Sequence, residues 1–519
     1  MAVTAARAPP NSRGPGHTRQ RLSRALPAAR LTLLTLLLST LSLETEKMTA
    51  LHYLSLVELA EKIRTRAISP REVVDLHLKR IAELQPRLNA FVHIDEAGAR
   101  EHARVAEIAV TRGETLGPLH GVPLTVKSCI DVAGWPCAAG SQLRKDHKPS
   151  SDAVLVQRLR KAGAILLGNT NTPEFLMAYE TDNLVAGKTR NPWNADHSSG
   201  GSSGGEAAAI ASGCSAGGVG SDGGGSIRVP GHFCGICGLK PTPGRIPSNG
   251  HYPASNSAFG WLGVVGPMAR TVGDLRVLFE VLRGPDAGDA LTLPVHIFDE
   301  TSSRSKSVRI GILEGDGLGT ATPEIQVAVR QAAQLLAYQG FILEPFRLNN
   351  LERVLELWWF FFGTVISELF QGTIREREAL LSPIFRDYLE AARSSSPEPP
   401  VTMEHFVEMC EARDLERARI LCAMRDTPIL LSPVSTASAF RHREGNWNPR
   451  IGYRDTMRHS QWLNLTGFPG VTVPMGQSPE GLPIGVQLIG RPFEDEFLLS
   501  VAEKLEAARG PWQPPGFHS

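Results

Sequence analysis

One stretch of the chain is far richer in glycine than the rest. From Ser199 to Arg228 the sequence reads SGGSSGGEAAAIASGCSAGGVGSDGGGSIR, in which 11 of 30 residues are glycine. Because glycine loses more backbone entropy on ordering than any other residue, this density predicts tight turns rather than ordinary helix or strand. Three functions are compatible with it: a phosphate-binding loop, a flexible linker, or a turn that directs backbone N–H groups at developing negative charge.

The residues of the stretch argue against the first two functions. Gly218–Gly223 fits the dinucleotide pattern G-x-G-x-x-G, which needs an acidic residue about 20 positions later to hold the ribose. The next acidic residue after Asp222 is Asp274, so that partner is missing. A P-loop needs a lysine near its end, and the stretch contains none. A linker is excluded because the helical segment Glu206–Ser212 interrupts the glycines.

The remaining function is a glycine turn that carries a nucleophilic serine and directs N–H groups at developing negative charge. Gly223, Gly224 and Gly225 place unhindered N–H donors directly before Ser226, where an oxyanion forms when a serine attacks an acyl carbon. No histidine lies within hydrogen-bond reach by sequence. A Ser–His–Asp triad assembled from distant residues therefore stays open at this point.

A lysine inside an apolar segment is the second unusual feature. Lys127 lies in Gly121–Ile130 (GVPLTVKSCI), which has the composition of a buried strand. Its ammonium group either reaches a surface at the end of its aliphatic stem or is buried, where desolvation lowers its pKa and makes it a usable base. The residues alone favour the surface arrangement.

Helical and strand patterns alternate along the chain, which indicates an α/β fold. One predicted helix begins after Ser69 and is ended by Pro86, and Ala164–Gly168 is a predicted strand. A long helix is predicted over Leu351–Phe370. Its consecutive aromatic residues, Trp358–Phe362, point all around the helix, so we expect some of them to line an apolar cavity.

Several separate segments together resemble the amidase signature family of serine hydrolases. They are Gly121–Lys127, Gly200–Gly205, Gly220–Arg228, Phe233–Thr242, Gly263–Leu278, Asn464–Pro474 and Gly481–Asp495. The resemblance runs from about Leu51 to Ala507, and it is specific because the order and spacing of the segments agree. It implies a single large α/β domain with a twisted mixed β-sheet surrounded by α-helices.

The resemblance also implies a Ser–cisSer–Lys triad made of Lys127, Ser202 and Ser226. Neutral Lys127 would accept the proton of Ser202, which would take the proton of Ser226 as that residue attacks an amide. Ser203 would orient Ser202 or a backbone group. The N–H groups of the glycine turn that ends at Ser226 would hold the oxyanion. The resemblance implies no metal ion and no other cofactor.

Leu176 corresponds to a position that lines the acyl pocket in relatives similar to fatty-acid amide hydrolase, so the resemblance implies a substrate-binding role for it. Two residues depart from the usual family pattern. Gly223 stands where an apolar residue or Thr is more usual, and Ser221 replaces the commoner Thr. Neither change removes a backbone donor.

The expected function is a stand-alone amidase that cleaves a small-molecule amide with an apolar acyl or aryl group. Gly260–Pro267 lacks the Asp-Gln pair of the amidotransferase-type segment, and Gly244–Pro253 is more similar to the branch that includes fatty-acid amide hydrolase. The alternative is the glutamine-hydrolysing catalytic subunit of a tRNA-dependent amidotransferase. A catalytically silent binding scaffold is a weaker alternative.

Composition limits the partners and the compartment. A net charge of +1 does not predict nucleic-acid binding, and the odd count of 7 cysteines indicates a reducing compartment, hence a cytoplasmic protein. Cys234 and Cys237 form C-x-x-C, which we interpret as buried thiols rather than a zinc site. The sequence is compatible with a homodimer, and it does not decide whether the protein contacts a membrane.

The N-terminal region differs from the rest, so we divide the chain into a basic and apolar extension, residues 1–47, and an amidase domain, residues 48–519. Leu31–Leu43 is an apolar run of 13 residues that follows several arginines. It is shorter than the roughly 20 residues that span a bilayer. The extension is a signal, a membrane anchor, or the result of a gene start placed before Met48, so membrane association or export is the alternative to a cytoplasmic location.

Overall fold

The computed structural model describes residues 51–254, 258–295, 308–313, 321–394, 401–443 and 453–516. The boundary predicted between residues 47 and 48 and the apolar run Leu31–Leu43 lie outside these ranges. Within them we find no helix that combines the length and the hydropathy of a bilayer-spanning segment.

The helices alternate with strands along most of the chain. They are α1 (Leu56–Arg64), α2 (Pro70–Leu88), α3 (Glu96–Arg112), α4 (Val154–Lys161), α5 (Gly204–Ala211), α6 (Arg228–Cys234), α7 (Val272–Leu282), α8 (Pro323–Tyr338), α9 (Leu351–Trp359), α10 (Ile366–Ile374), α11 (Pro383–Ser394), α12 (Met403–Ala423), α13 (Tyr453–Thr466) and α14 (Asp495–Arg509).

The strands form one sheet. They are β1 (Phe91–Ile94), β2 (Pro123–Lys127), β3 (Ile165–Thr170), β4 (Gly217–Asp222), β5 (Cys237–Lys240), β6 (Val264–Ala269), β7 (Arg309–Ile312), β8 (Ile342–Pro345), β9 (Ile429–Pro433), β10 (Gly470–Gln477) and β11 (Pro483–Gly490). The described residues give an 11-stranded sheet in the order β1-β3-β2-β4-β6-β5-β10-β11-β9-β7-β8. Strand β2 pairs in parallel with β3 and β4, whereas β4–β6 and β10–β11 are antiparallel. The predicted α/β fold with a mixed sheet is confirmed.

Helix α2 begins where the sequence predicts but ends later. The Ser69 side chain accepts from the N–H of Glu72, and the Glu72 carboxylate accepts from the N–H of Ser69, which completes a capping box. The prediction that Pro86 ends the helix is wrong, because the helix runs to Leu88. Proline removes only one donor from this last turn, and Asn89, in the left-handed conformation, closes it with an N–H that donates to Gln85 O.

The predicted long helix is continuous but not uniform. Between α9 and α10 the chain makes a π-helical turn over Phe360–Val365. A π-turn widens the backbone and changes which face carries the following side chains. The Tyr388 hydroxyl on α11 donates to Phe362 O at 2.6 Å and reaches Gly363 O at 3.4 Å, so it supplies a partner for carbonyls of this turn.

Glycines let α5 pack unusually close to the central strands. A Cβ atom on Gly218 would overlap the Glu206 carboxylate, and one on Gly220 would lie 2.7 Å from Ser203 Oγ. Both glycines are in β4, so their missing side chains make room for the residues on and before α5. These two glycines therefore serve helix–sheet packing, which spacing in the sequence does not reveal.

We expect Tyr388→Phe to destabilise the protein by about 1–2 kcal/mol, because it removes a buried donor from Phe362 O. The measurement is the free energy of unfolding in urea. Tyr338→Phe is the matched control, since the Tyr338 side chain is 90% exposed at the end of α8. Equal stability of the two variants would contradict a structural role for the Tyr388 hydroxyl.

Candidate active site

Ser226 lies on the turn that joins β4 to α6. Strand β4 ends at Asp222 and α6 begins at Arg228, so Gly223–Ile227 forms the connection. Ser226 is 8% exposed, whereas Lys127 is fully buried and Ser202 is 1% exposed. Of these three residues Ser226 is therefore the most accessible to a substrate.

Lys127 is the last residue of β2 and is buried, so the surface arrangement favoured by the residues alone is wrong. Its Nζ donates to Ser202 Oγ at 2.6 Å and to Ser221 Oγ at 3.1 Å. Burial lowers the pKa of Lys127 to about 8, and the nearby Cys129, Asp222 and Glu206 partly oppose that shift. A lysine with this pKa is neutral in a large fraction of molecules near pH 8.

Ser202 and Ser203 connect the lysine to the Ser226 turn. The Gly201–Ser202 peptide bond is cis, and Ser202 O accepts from Thr172 Oγ1 at 2.8 Å. The N–H of Ser203 donates to Ser226 O at 3.1 Å. The Ser202 loop is thus attached to the Ser226 turn through the backbone.

The N–H groups of the glycine turn fall into two sets. Gly225 N–H donates to Asp222 Oδ1 at 2.6 Å, so the expectation that it faces a substrate is corrected. Within the described ranges, no acceptor is found for the N–H groups of Gly223, Gly224 and Ser226. These three donors are the ones that a ligand can use.

A buried ion pair holds the turn in shape. Asp222 and Arg228 are both fully buried, and Arg228 Nη2 lies 3.0 Å from Asp222 Oδ1. Burial by itself raises the pKa of Asp222, but the guanidinium and the N–H of Ile227 hold it well below its usual range. Arg228 also donates to Asn464 Oδ1 at 2.7 Å and to Gln487 Oε1 at 3.1 Å. These contacts indicate that Asp222 and Arg228 form a scaffold for the turn.

Aromatic side chains cover the turn on one side. Trp358 Nε1 donates to Gly223 O at 3.1 Å, and the Tyr179 hydroxyl donates to Gly224 O at 2.5 Å. Phe362 stacks on Trp358 with ring centroids 4.6 Å apart. Trp358 and Phe362 adjoin the turn but are buried in the hydrophobic core, so the expectation that part of the aromatic cluster lines an apolar cavity stays a prediction.

Leu176 lies near this region along the chain. It is buried, with 5% exposure, on the short helical turn Glu174–Leu176. Three residues later, Tyr179 reaches the glycine turn. A role of Leu176 in substrate binding stays a prediction.

Sequence reasoning missed Glu206, a buried carboxyl group on α5. It accepts hydrogen bonds from Thr125 Oγ1 and from Thr170 Oγ1, the latter at 2.7 Å. Burial raises the pKa of Glu206 to about 7, although the hydrogen bonds from the two threonines and the charge of Lys127 act to lower it. The sequence signal that could have revealed this buried carboxyl group is a single acidic residue in an otherwise alanine-rich helix.

Cys234 and Cys237 are buried and do not act as a pair. The Cys234 thiol donates to Ser199 O and the Cys237 thiol to Arg270 O. Burial raises the pKa of both thiols. Across the part of the chain that the structure describes, no group of three or more His, Cys, Asp or Glu side chains is arranged to hold a metal ion.

Comparison with known proteins decides the family. The model of the Amidase family matches residues 72–499. The chain belongs to the amidase signature family. It is therefore an amidase, a hydrolase that acts on C–N bonds of amides.

Relatives of this amidase have more than one activity. It is 33% identical over 479 residues to the A subunit of the glutamyl-tRNA(Gln) amidotransferase of Roseiflexus castenholzii, covering 88% of this chain and 96% of the relative. A bacterial aryl acylamidase shares 28% identity with a TM-score of 0.77, covering 89% of this chain and 97% of its own. Fatty acid amide hydrolase shares 25% identity with a TM-score of 0.76, and the match covers 89% of this chain and 86% of that enzyme.

We expect Arg228→Met to destabilise the amidase by about 3–5 kcal/mol at pH 7, because it leaves the Asp222 carboxylate buried without its cation. The measurement is urea unfolding. Arg64→Met is the control, since Arg64 pairs with Glu61 at an exposed site and should change stability by less than about 1 kcal/mol. Similar losses in both variants would contradict the scaffold role of Arg228.

Proposed function

We propose that this amidase cleaves amides through an acyl-enzyme on Ser226, with Ser202 and Lys127 as the proton-transfer chain. The observation that carries the proposal is the 2.6 Å contact from Lys127 Nζ to Ser202 Oγ, in a buried site joined to the Ser226 turn by the hydrogen bond from Ser203 N–H to Ser226 O. A buried lysine with a lowered pKa is a usable base, and a serine on a donor-lined turn is a usable nucleophile.

The first half-reaction forms the acyl-enzyme. Neutral Lys127 takes a proton from Ser202 while Ser202 takes the proton of Ser226, and the Ser226 Oγ–carbon bond forms. The N–H groups of Gly223, Gly224 and Ser226 hold the resulting oxyanion. When the carbon–nitrogen bond breaks, the proton returns through Ser202 to the leaving nitrogen.

Water completes the reaction. After the amine or ammonia leaves, Ser202 and Lys127 accept a proton from water as its oxygen attacks the acyl carbon. Breakage of the Ser226 Oγ–carbon bond returns the proton to Ser226 and releases the carboxylic acid. The reaction therefore consumes one amide and one water molecule and regenerates the enzyme.

The side chains around the turn support an amide with an apolar acyl or aryl group. Trp358 and Phe362 place buried aromatic rings beside Gly223 and Gly224, and an aromatic lining favours apolar groups. The similarity to an aryl acylamidase is consistent with this substrate class.

The glutamine-hydrolysing subunit of a tRNA-dependent amidotransferase is the second candidate. The corresponding subunits from Roseiflexus castenholzii and a Synechococcus strain, at 33% and 34% identity, support it better than the stand-alone amidase that the sequence favoured. In that case the ammonia released at Ser226 passes to protein partners. The acylation of Ser226 is common to both candidates.

Labelling by a fluorophosphonate, which bonds to a reactive serine with loss of fluoride, tests the proposed chemistry. Ser226→Ala should abolish labelling, and Lys127→Ala should slow it by about 10²-fold or more. Wild-type labelling should rise with pH and level off above about 8, because only neutral Lys127 accepts a proton. Ser500→Ala, on α14, is the control and should label normally. Normal labelling of the Ser226 variant would contradict the proposal.

Hydrolysis by the full chain distinguishes the two candidates. A stand-alone amidase should cleave aryl and long-chain amides without partners, at least about tenfold better by kcat/KM than glutamine, because apolar groups gain from burial against Trp358 and Phe362. Release of acid and amine is the measurement. Cleavage of glutamine alone, and only when amidotransferase partner subunits are added, would contradict the stand-alone candidate and support the second.

A further inference from the structure

Gly223 differs from the two glycines that follow it. A Cβ atom on Gly224 would lie 2.5 Å from Trp358 Cζ2, and Gly225 has a φ of +120° with Ser460 Cβ at 2.8 Å from its Cβ position. Both positions therefore require glycine. At Gly223 the backbone is not in the left-handed region, and the atom nearest to an added Cβ is Phe259 Cε2 at 3.5 Å, an ordinary contact. The turn itself does not require glycine at this position.

The missing side chain leaves room between two aromatic rings. The next neighbour of a Cβ on Gly223 is Phe362 Cε2 at 3.9 Å. Phe259 stacks on His251 with ring centroids 5.6 Å apart, and Phe362 stacks on Trp358 at 4.6 Å. Both rings stack on other rings, and these contacts favour their present positions over a move into the space beside Gly223.

This room adjoins the reacting atoms of the proposed mechanism. The N–H of Gly223 is among the donors assigned to the oxyanion, so its Cα lies close to the groups attached to the scissile carbonyl. Ser221, two residues earlier, directs its hydroxyl to Lys127 at 3.1 Å. Gly223 directly follows the last residue of β4, so it lies within two residues of this contact to the base.

We propose that Gly223 determines the size of the group that the enzyme accepts next to the scissile amide. Its missing side chain leaves a methyl-sized space between Phe259 and Phe362 that a branch of the substrate can occupy. The inference rests on the proposed function, because it requires Ser226 to be the nucleophile. It goes beyond the use of the Gly223 N–H as a donor, since it assigns specificity to the absence of a side chain.

Two substrate series measured with Gly223→Val test the inference. In the acyl series the p-nitroanilides of acetic, pivalic and benzoic acid are compared, and in the amine series benzamide, N-methylbenzamide and benzanilide. We expect kcat/KM for the bulkiest member of at least one series to fall about tenfold more than for the smallest, because each added methyl group removes space of its own size. The series that responds shows on which side of the amide the room lies.

Controls separate a change of specificity from a loss of folding. Gly372→Val makes the same change on the exposed face of α10, where no atom lies within 4 Å of the added Cβ, and should alter no ratio within either series. If Gly223→Val does not fold, Gly223→Ala, whose methyl group fits at 3.5 Å, should show the same trend at about threefold or more.

The outcomes are distinguishable from those that bear on the proposed function. An equal change in kcat/KM for every member of both series overturns the role of Gly223 alone, provided that a small fluorophosphonate still labels Ser226. Absence of labelling at Ser226 in the wild-type protein overturns the proposed function, and the Gly223 inference with it.

Discussion

The buried ion pair between Asp222 and Arg228 is the interaction on which the rest of the site depends. It joins the end of β4 to the start of α6, and it takes up the N–H of Gly225 and of Ile227. A carboxylate that accepts these donors fixes the turn, so the remaining N–H groups of Gly223, Gly224 and Ser226 point elsewhere. The contacts of Arg228 with Asn464 and Gln487 attach the same turn to α13 and β11.

Loss of water around the site shifts the pKa values of the ionisable groups next to this scaffold. Lys127 lies at the end of a strand whose residues are all buried, and the loss of water lowers its pKa to about 8. The same burial raises the pKa of the neighbouring Glu206 to about 7. If Lys127 and Glu206 were both charged, desolvation would cost several kcal/mol per ion, so burial favours the neutral form of each group. Burial therefore brings the pKa values of both groups close to neutral pH next to the Ser226 turn.

Much of the fold could be predicted from the sequence because its signals are local. The helix start after Ser69 and the alternation of helix and strand are set by neighbouring residues, and the structure confirms both. The errors arise where tertiary packing overrides a local rule. Helix α2 tolerates Pro86 near its end, and the π-turn over Phe360–Val365 interrupts a segment that reads as one regular helix.

By itself the sequence determined the family, the glycine turn before Ser226 and the unusual position of Lys127, because these depend on residue identity and order. Only the tertiary structure decided that Lys127 is buried against Ser202, that Gly225 N–H serves the scaffold, and that Gly223 has room for a side chain. Burial and free space are properties of the surroundings. Residues far apart in the sequence create those surroundings, such as Phe259, Trp358 and Phe362, so no local pattern records them.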